Sequence, residues 1–287
     1  MRLNSCAAVA HCRACGGVQF LKRYYRSGAA SQRTCVNEFA TLERIFLTTD
    51  KPPALRMPRP YLYCAGKRAF SMQYLAGDTL DAKMQQCGDA ALVEQCIAES
   101  AKWLRALHDL PVTGLSAGRD YPAMFARIEA DCSAWRSESA LVAQALDAMR
   151  AALPLVSESG IQPAPLHGDF KPANLIWTEA GVYGIDASIR NVNPGAMDIA
   201  QYLSDLLLTL RRYPAHATSL DRLLDVFLAA YGDTSEAQRR AVMWWMSYSV
   251  LAAVAGKRRR FGRGAALDPK FGCALGALAD PARDATW

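Results

Sequence analysis

Apolar residues follow two different rhythms along this chain. Up to about residue 76 the runs are short and rich in strand formers. Val18 to Tyr25 (VQFLKRYY) predicts a strand, Ala7 to Ala14 a partner strand, and Cys15, Gly16 and Gly17 the hairpin turn between them. Val36, Phe39, Ala40, Leu42 and Phe46 then recur at helical spacing, and the prolines from Pro52 to Pro60 break that helix. Tyr61 to Cys64 and Ala69 to Tyr74 read as two more strands around a turn at Ala65 to Lys67. Beyond Gly77 the period lengthens. Leu92, Val93, Cys96, Ile97, Leu104 and Leu107 mark one long amphipathic helix, and Tyr121 to Leu153 predicts two more. Met197 to Leu210, Ser219 to Tyr231 and Ser235 to Gly256 are again helical. An irregular stretch, Leu166 to Asp186, interrupts the helices with two strand-like pieces, Leu175 to Trp177 and Val182 to Ile185. The pattern divides the chain into a small β-rich part, residues 1–76, and a large helical part, residues 77–287, joined near Gln73 to Gly77. No internal repeat or low-complexity linker is present.

The interrupting stretch carries the chemistry. His167-Gly168-Asp169-Phe170-Lys171-Pro172-Ala173-Asn174 holds the spacing H-x-D-x-x-x-x-N, and Asp186 follows Asn174 by twelve residues. Phosphoryl transfer needs a carboxylate to take or orient the proton of the attacking hydroxyl. It also needs oxygen ligands for a hard cation that bridges nucleotide phosphates. An Asp and an Asn on one tight loop, with a second Asp from the next turn, supply both.

HGDFKPANLIW resembles the catalytic loop of the aminoglycoside phosphotransferase and choline kinase family, small-molecule kinases with a protein-kinase-like fold. The resemblance extends from about Val18 to Leu210. It implies an α+β, two-lobed fold, with a small β-rich N-lobe and a large, mainly helical C-lobe, and ATP and Mg2+ as cofactors. By the same resemblance Asp169 is the catalytic base, Lys171 steadies the transferring phosphate, and Asn174 and Asp186 are metal ligands. His167 braces the loop. Lys22, on the predicted strand, and Glu38, on the first helix, take the places of the phosphate-holding lysine and its ion-pair partner. Gln73, Tyr74 and Leu75 fall in the connector, where backbone groups would hold adenine. Asp198 resembles the aspartate that braces the loop from a helix start, and Leu104 to His108, followed by Asp109, resembles a packing segment. The Phe-Gly expected after the metal-binding Asp is replaced by Ala187 and Ser188, and no A-P-E-like segment follows, which argues against a protein kinase. Only 21 residues precede Lys22, so either Asn4 and Ser5 are the remnant of a minimal phosphate-covering loop or the start of the chain falls too late. That shortness motivates the alternative, a non-catalytic, pseudokinase-like module that binds a nucleotide or a partner. The presence of Asp169, Asn174 and Asp186 together argues for catalysis.

Composition narrows the partners. Apolar residues make up 51% and charged residues 21%, which suits a packed core, and a net charge of +6 is too small to imply nucleic acid. Nine scattered cysteines form no disulfide framework. Cys12 and Cys15 lack the second pair a zinc site needs, so they read as small hydrophobes. No signal peptide is evident and no uninterrupted apolar run reaches the ~18 residues of a membrane span; the nearest is Val242 to Ala255. A reducing cytoplasm is the expected location. Trp244, Trp245, Met246 and Tyr248 read as helix packing, with part of that face open to an acceptor. From Val242 to Trp287 there are seven Lys or Arg against three Asp or Glu. A small-molecule hydroxyl acceptor is therefore expected, but not a polycation such as an aminoglycoside. The Lys257 to Arg260 cluster, with Arg263, reads first as a solvated helix end and second as a point of peripheral membrane contact.

Overall fold

A computed structural model describes residues 5–13, 16–25, 29–48, 50–86, 89–111, 116–117, 120–161, 163–189, 191–209, 219–261 and 267–280. The order is β1 (Ser5–His11), β2 (Val18–Tyr24), α1 (Ala29–Leu47), β3 (Pro60–Cys64), β4 (Ala69–Gln73), β5 (Asp78–Thr79), α2 (Leu80–Gln86), α3 (Ala90–His108), β6 (Ser116–Ala117), α4 (Tyr121–Glu138) and α5 (Ala140–Ser157). It continues with β7 (Pro163–Pro165), β8 (Leu175–Thr178), β9 (Gly181–Gly184), β10 (Asn191–Pro194), α6 (Ala196–Thr209), α7 (Leu220–Tyr231), α8 (Glu236–Phe261) and α9 (Pro269–Ala279).

The N-lobe is one antiparallel sheet in the order β1-β2-β4-β3, backed by α1. The β1–β2 hairpin closes with the Cys12 N–H donating to the Gly17 carbonyl at 2.8 Å; Cys15 lies outside the described residues. Ser5 opens β1 opposite Tyr24, and Asn4 lies outside the described residues. Side chains alternate along β2, so Lys22 and Tyr24 share the buried face while Leu21 and Arg23 point outward.

Helix starts in the C-lobe are set by short polar side chains that satisfy orphan N–H groups: Asp89 for α3, Asp120 for α4, Ser139 for α5, Ser219 for α7 and Asp268 for α9. Ser139 separates α4 from α5, and so divides the long helical pattern that begins at Tyr121. The structure adds elements too short or too apolar for periodicity to mark: β5, α2, β7, β10 and α9. By length and a mean hydropathy of 1.2, α5 is the one described helix apolar enough to cross a membrane, rather than the stretch near Val242. In the structure Val142, Leu146, Met149 and Val156 are buried in the C-lobe core.

An aromatic column runs through that core directly behind the HGD loop. Trp103 stacks on Phe170 at 5.9 Å, and tilted contacts at 5.3 Å follow from Phe170 to Tyr202 and from Tyr202 to Phe227. Trp103 also donates from Nε1 to the Arg56 carbonyl at 2.9 Å, tying the chain ahead of β3 to the C-lobe. Gly184, at the end of β9, lies flat against the Trp103 ring; a Cβ there would fall 2.0 Å from Trp103 Cζ2. Gly184→Ala is expected to displace Trp103 and cost roughly 1–3 kcal/mol or more, read as a lowered urea midpoint. An unchanged midpoint would show that the ring is not held there.

Trp244 and Trp245 are buried, donating from Nε1 to the Met149 carbonyl and to Tyr121 Oη at 3.1 and 3.3 Å. They build the C-lobe core and line none of the cavity described below. The basic end of α8 is tied to neighbouring elements: Arg258 forks onto Glu138 at 2.7 and 2.8 Å, Arg259 pairs with Asp131 at 2.9 Å and Lys257 with Asp268 at 3.4 Å. Arg263 lies outside the described residues.

Candidate active site

A cavity of about 400 Å³ opens between the lobes, lined by Lys22, Tyr24, Thr34 and Glu38 from the N-lobe and by residues 166–169, Asp186, Ser188 and Asn193 from the C-lobe. Lys22 is its hub. Its Nζ lies 2.7 Å from Glu38 Oε1 and 2.7 Å from Asp186 Oδ1. The strand lysine, the helix glutamate and the aspartate after β9 are therefore in one chain of contacts. Tyr24 Oη donates to the other Glu38 oxygen. Burial opposes the charge on Lys22, but the Asp186 and Glu38 carboxylates outweigh it and hold the ammonium above its ordinary range. Glu38 is pushed up to about 7 by burial and then by the Asp186 charge, against the pull of Lys22.

That shift has a sign that can be tested. Below the ordinary carboxyl value of 4.5 both folded and unfolded chains carry the Glu38 proton. Between 4.5 and about 7 only the folded chain keeps it, so stability falls as pH rises through this window. The loss attributable to Glu38 is on the order of 3 kcal/mol. Urea melts across the window should show a steeper decline for the wild type than for Glu38→Gln. Parallel slopes would contradict the shift.

The HGD loop is held by a network reaching deep into the C-lobe. Gly168 sits at φ 84°, a left-handed conformation that glycine adopts at no steric cost. This orients two successive N–H groups at the buried Asp198: His167 N donates to Oδ2 at 2.6 Å and Gly168 N to Oδ1 at 3.2 Å. Asp198 also receives His108 Nε2 at 3.2 Å, while His108 Nδ1 accepts from Tyr231 Oη at 2.8 Å. In the segment that ends α3, it is His108 that reaches the loop's brace; Asp109 pairs with Arg105 at the surface. His167 is fully buried. It accepts the Asp169 N–H at Nδ1 and donates from Nε2 to the Ile185 carbonyl at 3.0 Å, and burial lowers its pKa. A neutral, enclosed imidazole ties the loop to the segment before Asp186.

Register brings the remaining groups together. Pro172 to Asn174 make a single tight turn, after which the β8–β9 hairpin pairs Leu175 with Gly184. This sets Asn174 beside Ile185, whose N–H donates to the Asn174 carbonyl at 3.0 Å, and Asp186 follows at once. Asp186 has φ 62°, uncommon for a residue with a Cβ, and such backbone costs of order 1–3 kcal/mol; it turns the carboxylate to Lys22. Asn174 Nδ2 donates to the Asp169 carbonyl at 2.8 Å and to Asp169 Oδ2 at 3.0 Å, and Lys171 Nζ lies 2.7 Å from the same Oδ2. With its amino group so engaged, Asn174 keeps its Oδ1 for another ligand. Asn174 Oδ1 and the Asp186 carboxylate are both hard oxygen donors. That suits a cation which takes one or two protein ligands and completes its shell with phosphate and water.

The connector residues stand apart. The Gln73 N–H is spent on the Arg59 carbonyl at 2.8 Å, and its Oε1 accepts the Arg59 N–H. Tyr74 is exposed and Leu75 buried, and their backbone groups bond to no other described residue. None of the three lines the cavity. Among the described residues no cluster of His, Cys, Asp and Glu is built for a metal by itself, and Cys15 lies outside them.

Three neighbours of the site go beyond the motif. Gln201 Nε2 donates to Asp169 Oδ1 at 3.3 Å. The sequence signals it as a polar residue one helical turn past Asp198 in an apolar helix. Tyr24 is signalled by its position two residues from Lys22 on the same strand face. Asn193 has no local signal, since only the β7–β10 pairing brings it to the cavity.

Comparison with known proteins places this geometry. No curated protein matches the chain. Among solved structures, a complex of amicoumacin kinase with AMP-PNP and Ca2+ aligns with TM-score 0.62 at 11% identity, covering 99% of this chain and 87% of that one. The macrolide 2'-phosphotransferase of Brachybacterium faecium aligns with TM-score 0.57 at 16% identity, covering 98% and 90%. Plasmodium vivax ethanolamine kinase aligns with TM-score 0.57 at 11% identity, covering 97% and 80%. At such identities the likeness concerns the fold, which is that of the protein-kinase-like small-molecule kinases. The profile of the phosphotransferase enzyme family matches residues 16–245, and the chain belongs to that family.

Proposed function

We propose that the protein transfers the γ-phosphate of ATP to a hydroxyl of a small molecule, with Mg2+ and with Asp169 as base. The observation that carries this is the convergence of Lys22, Glu38, Asp186 and Asp169 on one cavity. Lys22 would hold the nucleotide phosphates, with Glu38 and Tyr24 fixing its ammonium. Asn174 and Asp186 would hold the metal. When bound, Mg2+ supplies charge neutralisation across the phosphates. Asn174, Lys171 and Gln201 aim the Asp169 carboxylate. It takes the proton of the acceptor hydroxyl as the new O–P bond forms, and the bond from phosphorus to the ADP oxygen breaks with its electrons leaving on ADP. Lys171, paired with Asp169 at 2.7 Å, would steady the transferring phosphoryl. The backbone of Tyr74 and Leu75, with Gln73, is the place for adenine. In this division residues 1–76 grip the nucleotide and residues 77–287 carry catalysis and the acceptor.

The bound AMP-PNP of the amicoumacin kinase structure supports ATP as donor. The acceptor is a small molecule, since a net charge of +6 is too small to imply nucleic acid. The proposed location is the cytoplasm, a reducing compartment in which cysteines remain thiols. The test is an ATP-consumption screen over sugars, amino alcohols, nucleosides and antibiotics. Acceptor-dependent ADP formation is expected. A protein that Mg-ATP neither stabilises thermally nor phosphorylates through would instead be a non-catalytic module.

A further inference from the structure

A second cavity, of about 360 Å³, opens on the C-lobe and shares no lining residue with the one that holds Asp169. It lies where the ends of α3 and α7 meet the start of α8 and the segment leading into β7. Its buried polar members are His108, Tyr231 and Gln238, and its charged ones are Arg105, Asp109 and Asp233. Gln238 is 2% exposed, and its carboxamide bonds to no described residue; only its backbone N–H is engaged, with Ser235 Oγ at 3.2 Å. Yet that carboxamide is not among the side-chain groups sealed off without a partner, which are Trp135 Nε1, Asn193 Oδ1 and Ser204 Oγ. The slight access it keeps therefore faces the cavity that Gln238 lines. A carboxamide buried this far without a partner costs the fold stability, and a leucine of similar size would not.

The other lining groups say what would satisfy it. Arg105 is committed to Asp109, from Nε to Oδ2 at 2.9 Å and from a terminal nitrogen to Oδ1 at 2.8 Å. Asp233 pairs with no cation among the described residues; one of its oxygens accepts the Ser235 N–H at 3.0 Å. The charged side chains of the cavity thus leave one negative charge over. Tyr231 gives its hydrogen to His108 Nδ1, so its oxygen can only accept from a ligand. Burial holds the Tyr231 hydroxyl protonated, well above its ordinary range, and around it the charges of Asp109, Asp233 and Asp198 outnumber that of Arg105. A helix start favours anions in general, but Ser235 caps α8 and Glu236 occupies its first turn.

We propose that this cavity binds a small organic amine, with N–H donors for Tyr231 Oη, Gln238 Oε1 and Asp233, and that the bound amine steadies the HGD loop. The route is short. Tyr231 Oη reaches His108 Nδ1 at 2.8 Å, His108 Nε2 reaches Asp198 Oδ2 at 3.2 Å, and Asp198 holds the His167 and Gly168 N–H groups. A donor on the Tyr231 oxygen polarises its O–H toward His108 and strengthens each bond that follows. Gly195 backs the pair closely: a Cβ there would fall 2.7 Å from His108 Nδ1 and 3.0 Å from Tyr231 Oη. The amine site stands whether or not the loop transfers phosphate.

The test titrates full-length protein calorimetrically with putrescine and agmatine, which carry N–H donors and no hydroxyl for a kinase to phosphorylate, and with succinate as the anionic counterpart. Saturable binding of an amine is expected, and none of succinate. Gln238→Leu and Asp233→Asn should each weaken amine binding by about tenfold or more, as expected for a hydrogen bond to a charged group. Asp233→Asn keeps an oxygen for the Ser235 N–H, and Gln238→Leu should melt no lower than the wild type, so neither loss would reflect unfolding. Hydrogen exchange at residues 166–169 should slow when putrescine is added to the wild type, and not when the same concentration is added to Gln238→Leu. Amine affinity unchanged in both variants overturns the site, as does binding of succinate alone or of no probe at all. A marked fall in the melting temperature of Gln238→Leu makes its carboxamide structural and overturns its place in the site. Amine binding that leaves exchange at residues 166–169 unchanged overturns the link to the loop.

Discussion

Asp169→Asn should reduce acceptor-dependent turnover by roughly 10²–10⁴-fold, the usual share of a positioned general base. The fold should be untouched, because the Asp169 side chain is partly exposed and its side-chain partners are Lys171, Asn174 and Gln201, not buried backbone groups. Mg-ATP affinity should change little, since the residues placed on the nucleotide are Lys22, Asn174 and Asp186. The split between kcat and Mg-ATP binding is the informative readout. A variant that binds Mg-ATP and keeps near-wild-type turnover would remove Asp169 from the role of base. One that neither binds nor turns over would point to collapse of the loop.

Asp198→Ala should be the more damaging change to the protein as a whole. Asp198 is 1% exposed and receives three hydrogen bonds, from His167 N, Gly168 N and His108 Nε2. Removing it leaves two backbone donors and an imidazole buried without partners. The expected cost is roughly 3–5 kcal/mol, as for breaking a buried charged network. Activity should fall together with stability, because the same bonds fix the loop that carries Asp169. Hydrogen exchange should localise the loss to residues 166–169 and to the end of α3. A variant with wild-type stability and exchange would mean that the loop is held by other contacts. Asp198→Asn should fall between the two, since an amide keeps one acceptor but brings a donor toward N–H groups.

The loop itself is legible in the sequence because its chemistry is local. Asp169 and Asn174 are five residues apart on one turn, and their relation needs no long-range contact. Lys22 and Glu38 are legible for another reason: strand alternation and helix period each fix one face, and the β2–α1 order brings those faces together. The Asp186 contact to Lys22 is of a different kind, since it depends on the two lobes closing on each other. Periodicity finds the long helices α3, α7 and α8, whose buried stripes are wide. It does not find β7 or β10, three- and four-residue pieces rich in Pro and Asn that are strands through their pairing, β10 with both β7 and β6. That is also why Asn193 has no signature. The basic end of α8 shows the limit of charge counting: Lys257, Arg258 and Arg259 each face a carboxylate from a neighbouring segment, and the acids are far away in sequence.

The central claim is that the cavity around Lys22, Asp186 and Asp169 performs phosphoryl transfer to a small molecule. The most direct measurement follows transfer of the ATP γ-phosphate by purified wild type and Asp169→Asn side by side, with the phosphorylated acceptor identified by mass spectrometry. The account predicts a phosphorylated small molecule, formed with ADP one for one by the wild type and lost in the variant. ADP without a phosphorylated acceptor, or the same product at the same rate from Asp169→Asn, would contradict it.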